Sequence, residues 1–404
     1  MKDIKVLFGR ELIISGLMGL VSGIPLMLTG SLLQAYMKEE GISLGAIGMT
    51  SLLGLPYTLK FLWAPFLDRF SLFSLGRRRG WLFLSQCFLI FSIVMLGSFR
   101  PSCTPFLVYF WAVLVSFFSA TQDIVIDAYR RETLQEKDLG LGSAYYIYGY
   151  RLGMLISGAG GLLLSDHLAF KWVYWLMAAA ILPFLFLTLI VKEPEISLGS
   201  VSLKEAVLLP FKDLLKRKGI WFIATFIVLY KIGDNMAGNM TLPYLLELGF
   251  TRTQIGVAAK LVGFWATLVG TFLGGLLLLK WSYKFSLFAC GMFQSISTFF
   301  FVILMLVGPN PLFLSLVIGF ENITSGMGTA ALAAFMAKVT NKAFTGTQYA
   351  LFSSLMGVPR VVTPSVSGYL ADFMGWWNFF MFCTLLAIPG LVLLFNKKMK
   401  EDLK

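Results

Sequence analysis

The chain has 404 residues, of which 57% are hydrophobic and only 13% charged, with a mean hydropathy of +0.79. Soluble domains carry about 25% charged residues, so the composition excludes a soluble globular enzyme and places the chain among polytopic membrane proteins. The net charge of +12 would suit nucleic acid only on a soluble basic face; none exists, so nucleic acid is not expected as a partner.

A bilayer core of ~30 Å needs about 20 apolar residues per helix. On that measure the sequence predicts roughly twelve spans, at 11–37, 44–67, 81–99, 104–129, 141–165, 169–191, 219–246, 254–279, 285–307, 311–337, 344–371 and 373–395. The first follows Lys2, Lys5 and Arg10 and is too long for a signal h-region, so it is expected to remain as an uncleaved span. Twenty-four Lys and Arg residues fall on the side of the N-terminus, at 2, 5, 10, 69, 77–79, 130, 131, 137, 192, 204, 212, 216–218, 280, 284, 338, 342, 397, 398, 400 and 404. The other side receives four: Lys38, Arg100, Lys171 and Arg252. The positive-inside rule then puts both termini and the 192–218 segment in the cytoplasm. Residues 203–217 of that segment suit an amphipathic helix on the inner leaflet.

The segment divides the chain into a bundle at 1–191, a linker at 192–218 and a bundle at 219–404. The halves resemble each other: GISLGAIG (41–48) returns as GFTRTQIG (249–256), an offset of 208. Each half also places a glycine, then Arg151 or Arg360, then Ser-Gly in its fifth span. This points to two homologous six-helix bundles related by an axis along the membrane normal, the major facilitator arrangement. An all-α membrane protein of about twelve helices, lying in the bilayer as a monomer, is the expected fold.

Charges in hydrocarbon cost at least ~2.5–3.5 kcal/mol each, which makes every one a functional candidate. The cations left over from the loops are Lys60, Arg151, Lys231, Lys260 and Arg360; the acids are Asp123, Asp127, Asp234 and Glu321. They fall on spans 2, 4, 5, 7, 8, 10 and 11, whereas spans 3, 6, 9 and 12 have none in their interiors. Asp123 and Asp127, beside Gln122, stand i, i+4 and share one helix face, so two carboxylates crowd a low-dielectric site and are candidates to take up and release a proton. Asp127 is either such a proton site or the structural partner of a gate cation such as Arg151. Lys231 and Asp234 stand i, i+3 and form either an internal ion pair or a site that substrate can open, with Asn235 continuing the polar stripe. Glu321 and Asn322 precede SGMGTA, whose Gly326 and Gly328 suit close helix packing. Arg151 and Arg360, at equivalent places in the repeats, suit carboxylate recognition or pairing with buried acids. Asp68, Arg69, Arg77 and Arg78, between spans 2 and 3, suit an interhelical latch.

The lone histidine, His167, leaves no His-built metal site or triad, and Cys87, Cys103, Cys290 and Cys383 give neither a disulfide frame nor a zinc signature. No P-loop, HExxH or GxSxG occurs. No enzyme, metal or cofactor is therefore expected.

The stretches SGIPL (22–26), KFLWAPFLDR (60–69), GRRRGWL (76–82), SATQDIVIDA (119–128), GYRLGMLISG (149–158), VYWLMAA (173–179), VLYKIGD (228–234), FENITSGMGTAA (320–331), NKAFTGTQYALFSSL (341–355) and MGWW (374–377) resemble the AmpG-type muropeptide permeases in order along nearly the whole chain. That resemblance implies a bacterial inner-membrane importer of N-acetylglucosaminyl-1,6-anhydro-N-acetylmuramyl peptides, driven by the proton motive force. It implies roles for Gln122, Asp123, Asp127, Arg151, Lys231, Asp234, Glu321 and Asn322. Larger members carry further C-terminal spans, and this chain stops with NKKMKEDLK after its twelfth. The expected proton-coupling residues are Asp123, Asp127, Asp234 and Glu321. The expected substrate-binding residues are Lys60, Gln122, Arg151, Lys231, Asn235, Asn322 and Arg360. A facilitator for another anionic solute, such as a siderophore or a coenzyme A ester, and a non-transporting membrane sensor remain the alternatives.

Overall fold

The computed structural model describes residues 9–194, 203–217 and 219–396, and among these every regular element is helical. Lys2, Lys5, residues 195–202 of the expected linker, Lys218 and the basic stretch 397–404 lie outside the described residues. Helices are the economical solution for such a chain, because a helix satisfies its backbone N–H and C=O groups internally where hydrocarbon offers no partner.

Nine stretches among the described residues are long and apolar enough to cross a membrane as single helices. The other three expected spans depart from that criterion for separate reasons. Span 2 is not one helix: it runs as short α and 3-10 pieces, Leu44–Met49, Thr50–Gly54, Leu55–Leu59, Lys60–Leu62 and Ala64–Arg69. Pro56 and Pro65 remove backbone donors and clash with the preceding turn, so the ladder re-forms after each. Span 10 is a continuous helix of 29 residues, Pro311–Val339, and FENITSGMG dilutes its hydropathy. Spans 11 and 12 run together through Thr345–Leu385, with the break at Gly375, where φ is 72°. Span 5 contains a π turn at Ile156–Gly160 and span 8 one at Ala258–Gly263. The irregular turns at 50–54 and 258–263 lie at the repeat offset of 208 residues, so corresponding helices of the two halves are loosened at corresponding places. The helix expected at 203–217 within the linker is present at Leu203–Lys216.

The chain divides into two compact units. The first comprises Met1–Leu134, Tyr145–Lys212 and Thr340–Leu351; the second comprises Gln135–Ala144, Asp213–Val339 and Phe352–Lys404. Each therefore holds a short piece drawn from the other half of the sequence. In the first unit the start of span 11 is packed into the N-terminal core, where Ala350 joins Val125, Ile124 and Leu67. Spans 1 and 5 of this unit approach to backbone contact: a Cβ on Gly19 would fall 2.0 Å from the Tyr146 carbonyl oxygen, and one on Gly149 would fall 1.9 Å from that of Gly16. Only glycine permits that approach, and it brings Ser22 and Tyr146 beside span 4. The second unit repeats the device between spans 8 and 10, where Gly326 lies against the Thr267 carbonyl; the glycines of SGMG are packing residues.

Candidate functional site

Span 4 is a single helix, Pro105–Thr133, that carries the buried charged residues Asp123, Asp127, Arg130 and Arg131. Asp127 is held by two cations, Lys60 Nζ at 3.6 Å and Arg130 Nη2 at 3.2 Å. Asp123, one turn earlier, accepts a hydrogen bond from the Ser22 hydroxyl and, among the described residues, has no cation within ion-pair distance. The Ser22 hydroxyl also lies 3.2 Å from the Tyr146 hydroxyl. Gln122 is fully buried; its amide donates to the Val21 carbonyl at 3.4 Å, and its Oε1 has no partner. The structure thus joins Lys60, Asp123 and Asp127 with Gln122 alongside, and it gives the two carboxylates unequal surroundings.

Arg130 and Arg131 were expected in the loop after span 4, and that loop assignment is corrected. The helix continues to Thr133, and both side chains are buried, at 1% and 4% exposure. Arg130 pays its desolvation with Asp127 one turn back and with two aromatic faces: its guanidinium lies 4.7 Å from the Tyr146 ring centroid and 5.5 Å from that of Tyr349.

At the end of span 2 the expected latch takes definite form. Asp68 accepts from the backbone N–H of Gly346 at 3.0 Å, from that of Thr347 at 2.7 Å and from the Thr347 hydroxyl at 2.7 Å. These are first-turn donors of the helix starting at Thr345, which lack intrahelical partners and sit at the positive end of the dipole. A Cβ on Gly346 would sit 2.8 Å from Asp68 Oδ1, so glycine is what admits the carboxylate. Arg78 Nη2 ties Asp68 at 2.8 Å to Glu132 at 2.5 Å, Arg77 reaches Glu132 at 3.1 Å, and the Thr345 hydroxyl donates to Glu132 at 2.8 Å. Arg69 stands outside this network, 5.7 Å from the Phe70 ring centroid, with its Nε unpartnered. The helix Arg77–Ser98 is capped in turn by Glu193, which accepts from the N–H groups of Arg78 and Arg79 at 2.7 and 2.9 Å. Glu132 and Glu193 were not singled out in the sequence; the tight RRR run at a helix start, in need of acceptors, was the signal for both.

In the second unit Lys231 and Asp234 pair at 3.0 Å on one turn of span 7. Ser325 of span 10 completes a triangle: Lys231 Nζ donates to its carbonyl at 3.2 Å, and its hydroxyl donates to Asp234 at 3.1 Å. The Asn235 amide donates to the Lys231 carbonyl of its own helix. The Asn322 amide donates to Ile318, and its oxygen accepts from Thr267 of span 8, so its polar groups tie helices together. Glu321 is half-buried and has no ion-pair partner among the described residues. Arg360 is exposed and Arg151 half-buried.

The chain matches the Major Facilitator Superfamily over residues 15–236 and 231–403. It is 39% identical to the anhydromuropeptide permease of Escherichia coli K12 over 381 residues, which cover 94% of this chain and 78% of that protein. A Rickettsia bellii protein carrying the name AmpG 1 is 34% identical, covering 97% of this chain and 99% of that one. Among solved structures, the proton:xylose symporter XylE bound to 6-bromo-6-deoxy-D-glucose superposes with a TM-score of 0.74 at 12% identity, over 99% of this chain and 96% of that one.

Proposed function

This chain belongs to the major facilitator superfamily and, within it, to the family of the anhydromuropeptide permeases; from that premise we propose that it imports N-acetylglucosaminyl-1,6-anhydro-N-acetylmuramyl peptides, driven by the proton motive force. It is a multi-pass protein of the inner membrane. The observation that carries the cargo is the chain-long kinship to the Escherichia coli permease. The protein works by alternating access, with bundles at 1–191 and 219–404, the linker 192–218 and both termini on the cytoplasmic side, and it acts as a monomer in the bilayer. The cation asymmetry supports that orientation.

The chemistry of the polar residues within the spans suits such a cargo. Peptide carboxylates call for cations, and Lys60, Lys231, Arg151 and Arg360 supply them; sugar hydroxyls call for amide and hydroxyl groups. Asp123 is the proton site favoured by geometry, because Asp127 is ion-paired with two cations while Asp123 accepts from the Ser22 hydroxyl and forms no ion pair among the described residues. Protonation of Asp123 removes a charge and lets the outward-open form close; release toward the cytoplasm resets it. Asp234 and Glu321 are the corresponding acids of the second unit.

Cells lacking this protein are expected to release anhydromuropeptides into the medium, measured by mass spectrometry of culture supernatants, and to regain retention when the gene is restored. Release unchanged by deletion contradicts the assignment.

A further inference from the structure

Arg130 is placed where the buried carboxylates meet the start of span 11. Its Nη2 donates both to Asp127 Oδ1 at 3.2 Å and to the Tyr349 hydroxyl at 2.8 Å, while Nε and Nη1 are buried without partners. Its guanidinium lies between the rings of Tyr146 and Tyr349. A second route reaches the same guanidinium: Ser22 joins Asp123 to the Tyr146 hydroxyl, and the Tyr146 ring faces Arg130. Tyr349 belongs to the segment that Asp68 and Glu132 also clasp.

We propose that Arg130 and Tyr349 are a positioning pair that transmits the charge state of Asp127 to the start of span 11, so that a proton on the carboxylate frees that helix for the inward-opening step. This rests on the proton-driven reading above. The groups facing Asp127 are Lys60 from span 2, Tyr146 from span 5, Tyr349 from span 11, and Asp123 and Arg130 from its own helix. Among the described residues that touch Arg130, only Asp127 carries a full negative charge. A proton passed from Asp123 to an Asp127 oxygen, one turn along the same helix, leaves the buried Arg130 without the anion it was paired with, which is costly, while Lys60 keeps the recharged Asp123 nearby. Arg130 then turns away from Asp127, and the hydrogen bond to Tyr349 goes with it. When the proton leaves Asp127 toward the cytoplasm, the restored charge draws Arg130 back. Neither Arg130 nor Tyr349 needs to touch the cargo.

The test uses the full chain with its four free cysteines replaced and a cysteine placed at Ala350, which is buried in the first unit. Its labelling rate by a thiol reagent reports release of span 11. In the parent, labelling is expected to rise about tenfold between pH 8 and pH 5.5, the size set by one charge-assisted hydrogen bond. Tyr349→Phe keeps the ring and loses the hydroxyl. It should label fast at both pH values, with the step reduced to less than about twofold, and its gradient-driven accumulation should drop about tenfold while exchange of preloaded cargo stays within about twofold. Tyr349→Leu, which also removes the ring, should behave the same way, and Arg130→Lys should shrink the pH step while protein still reaches the membrane. A full pH step in Tyr349→Phe, or no pH step in the parent, overturns the proposal. A parent that keeps its pH step yet takes up cargo without regard to the gradient overturns the proton-driven reading and leaves the transmission from Asp127 to span 11 standing.

Discussion

Replacing Asp68 by Asn is expected to reduce transport more than tenfold while the amount of protein in the membrane stays near the parental level. The carboxylate holds two backbone N–H groups, one hydroxyl and one guanidinium at 2.7 to 3.0 Å. Hydrogen bonds to a charged acceptor contribute about 1.5–3 kcal/mol each, and an amide in its place presents an N–H group to donors. A loss of about 3 kcal/mol moves a two-state equilibrium by roughly two powers of ten. The loss falls on the clasped form, because the first turn of span 11 is bound by Asp68 only while it is packed into the first unit. Folding is spared because Arg77 and Arg78 keep Glu132 as their partner. Uptake per inserted protein and the labelling rate of a cysteine at position 350 check this: uptake should fall and labelling should rise. Unchanged labelling would show that the clasp does not govern the equilibrium.

Asp123→Asn is expected to abolish gradient-driven accumulation and to leave exchange of preloaded cargo largely intact. Asparagine retains the acceptor for the Ser22 hydroxyl and carries no charge, so it mimics the protonated acid at all pH values. Since among the described residues no cation lies within ion-pair distance of Asp123, the substitution breaks no ion pair there, and abundance should hold. Asp127→Asn differs on this point. It leaves both Lys60 and Arg130 without their carboxylate, and breaking a buried pair in that way costs about 3–5 kcal/mol. Its amount in the membrane should therefore fall severalfold. Accumulation and exchange measured together, normalised to inserted protein, separate the two cases. If Asp123→Asn accumulates cargo as the parent does, Asp123 is not the proton site, and Asp234 or Glu321 takes its place.

Much of this architecture was legible in the sequence because hydrocarbon sets strict terms. Span length follows from what a bilayer accepts, and the intramembrane charges stand out against an apolar background. The i, i+3 pair of Lys231 and Asp234 was readable from helical spacing alone. Arg130 and Arg131 were not, because the same residues serve as topology markers or as buried partners, and only the chain folded around them distinguishes the two. Span 2 carried Pro56 and Pro65 in plain view, yet its hydropathy concealed how often its helix is interrupted. The partners of Asp68 are backbone groups of Gly346 and Thr347, 278 and 279 residues away, and backbone donors leave no mark in a side-chain pattern. Ser325 was hidden for a related reason: a serine within SGMG reads as small-residue packing, and its contact with Lys231 and Asp234 depends on how span 10 is rotated against span 7.

Uptake of labelled N-acetylglucosaminyl-1,6-anhydro-N-acetylmuramyl tripeptide into right-side-out membrane vesicles containing this protein, with and without an imposed inward proton gradient, tests the central claim most directly. The account predicts accumulation above the external concentration when the gradient is present, its collapse when a protonophore is added, and equilibration without accumulation when no gradient is imposed. Uptake of that cargo no faster than in vesicles lacking the protein, or accumulation indifferent to the protonophore, would contradict it.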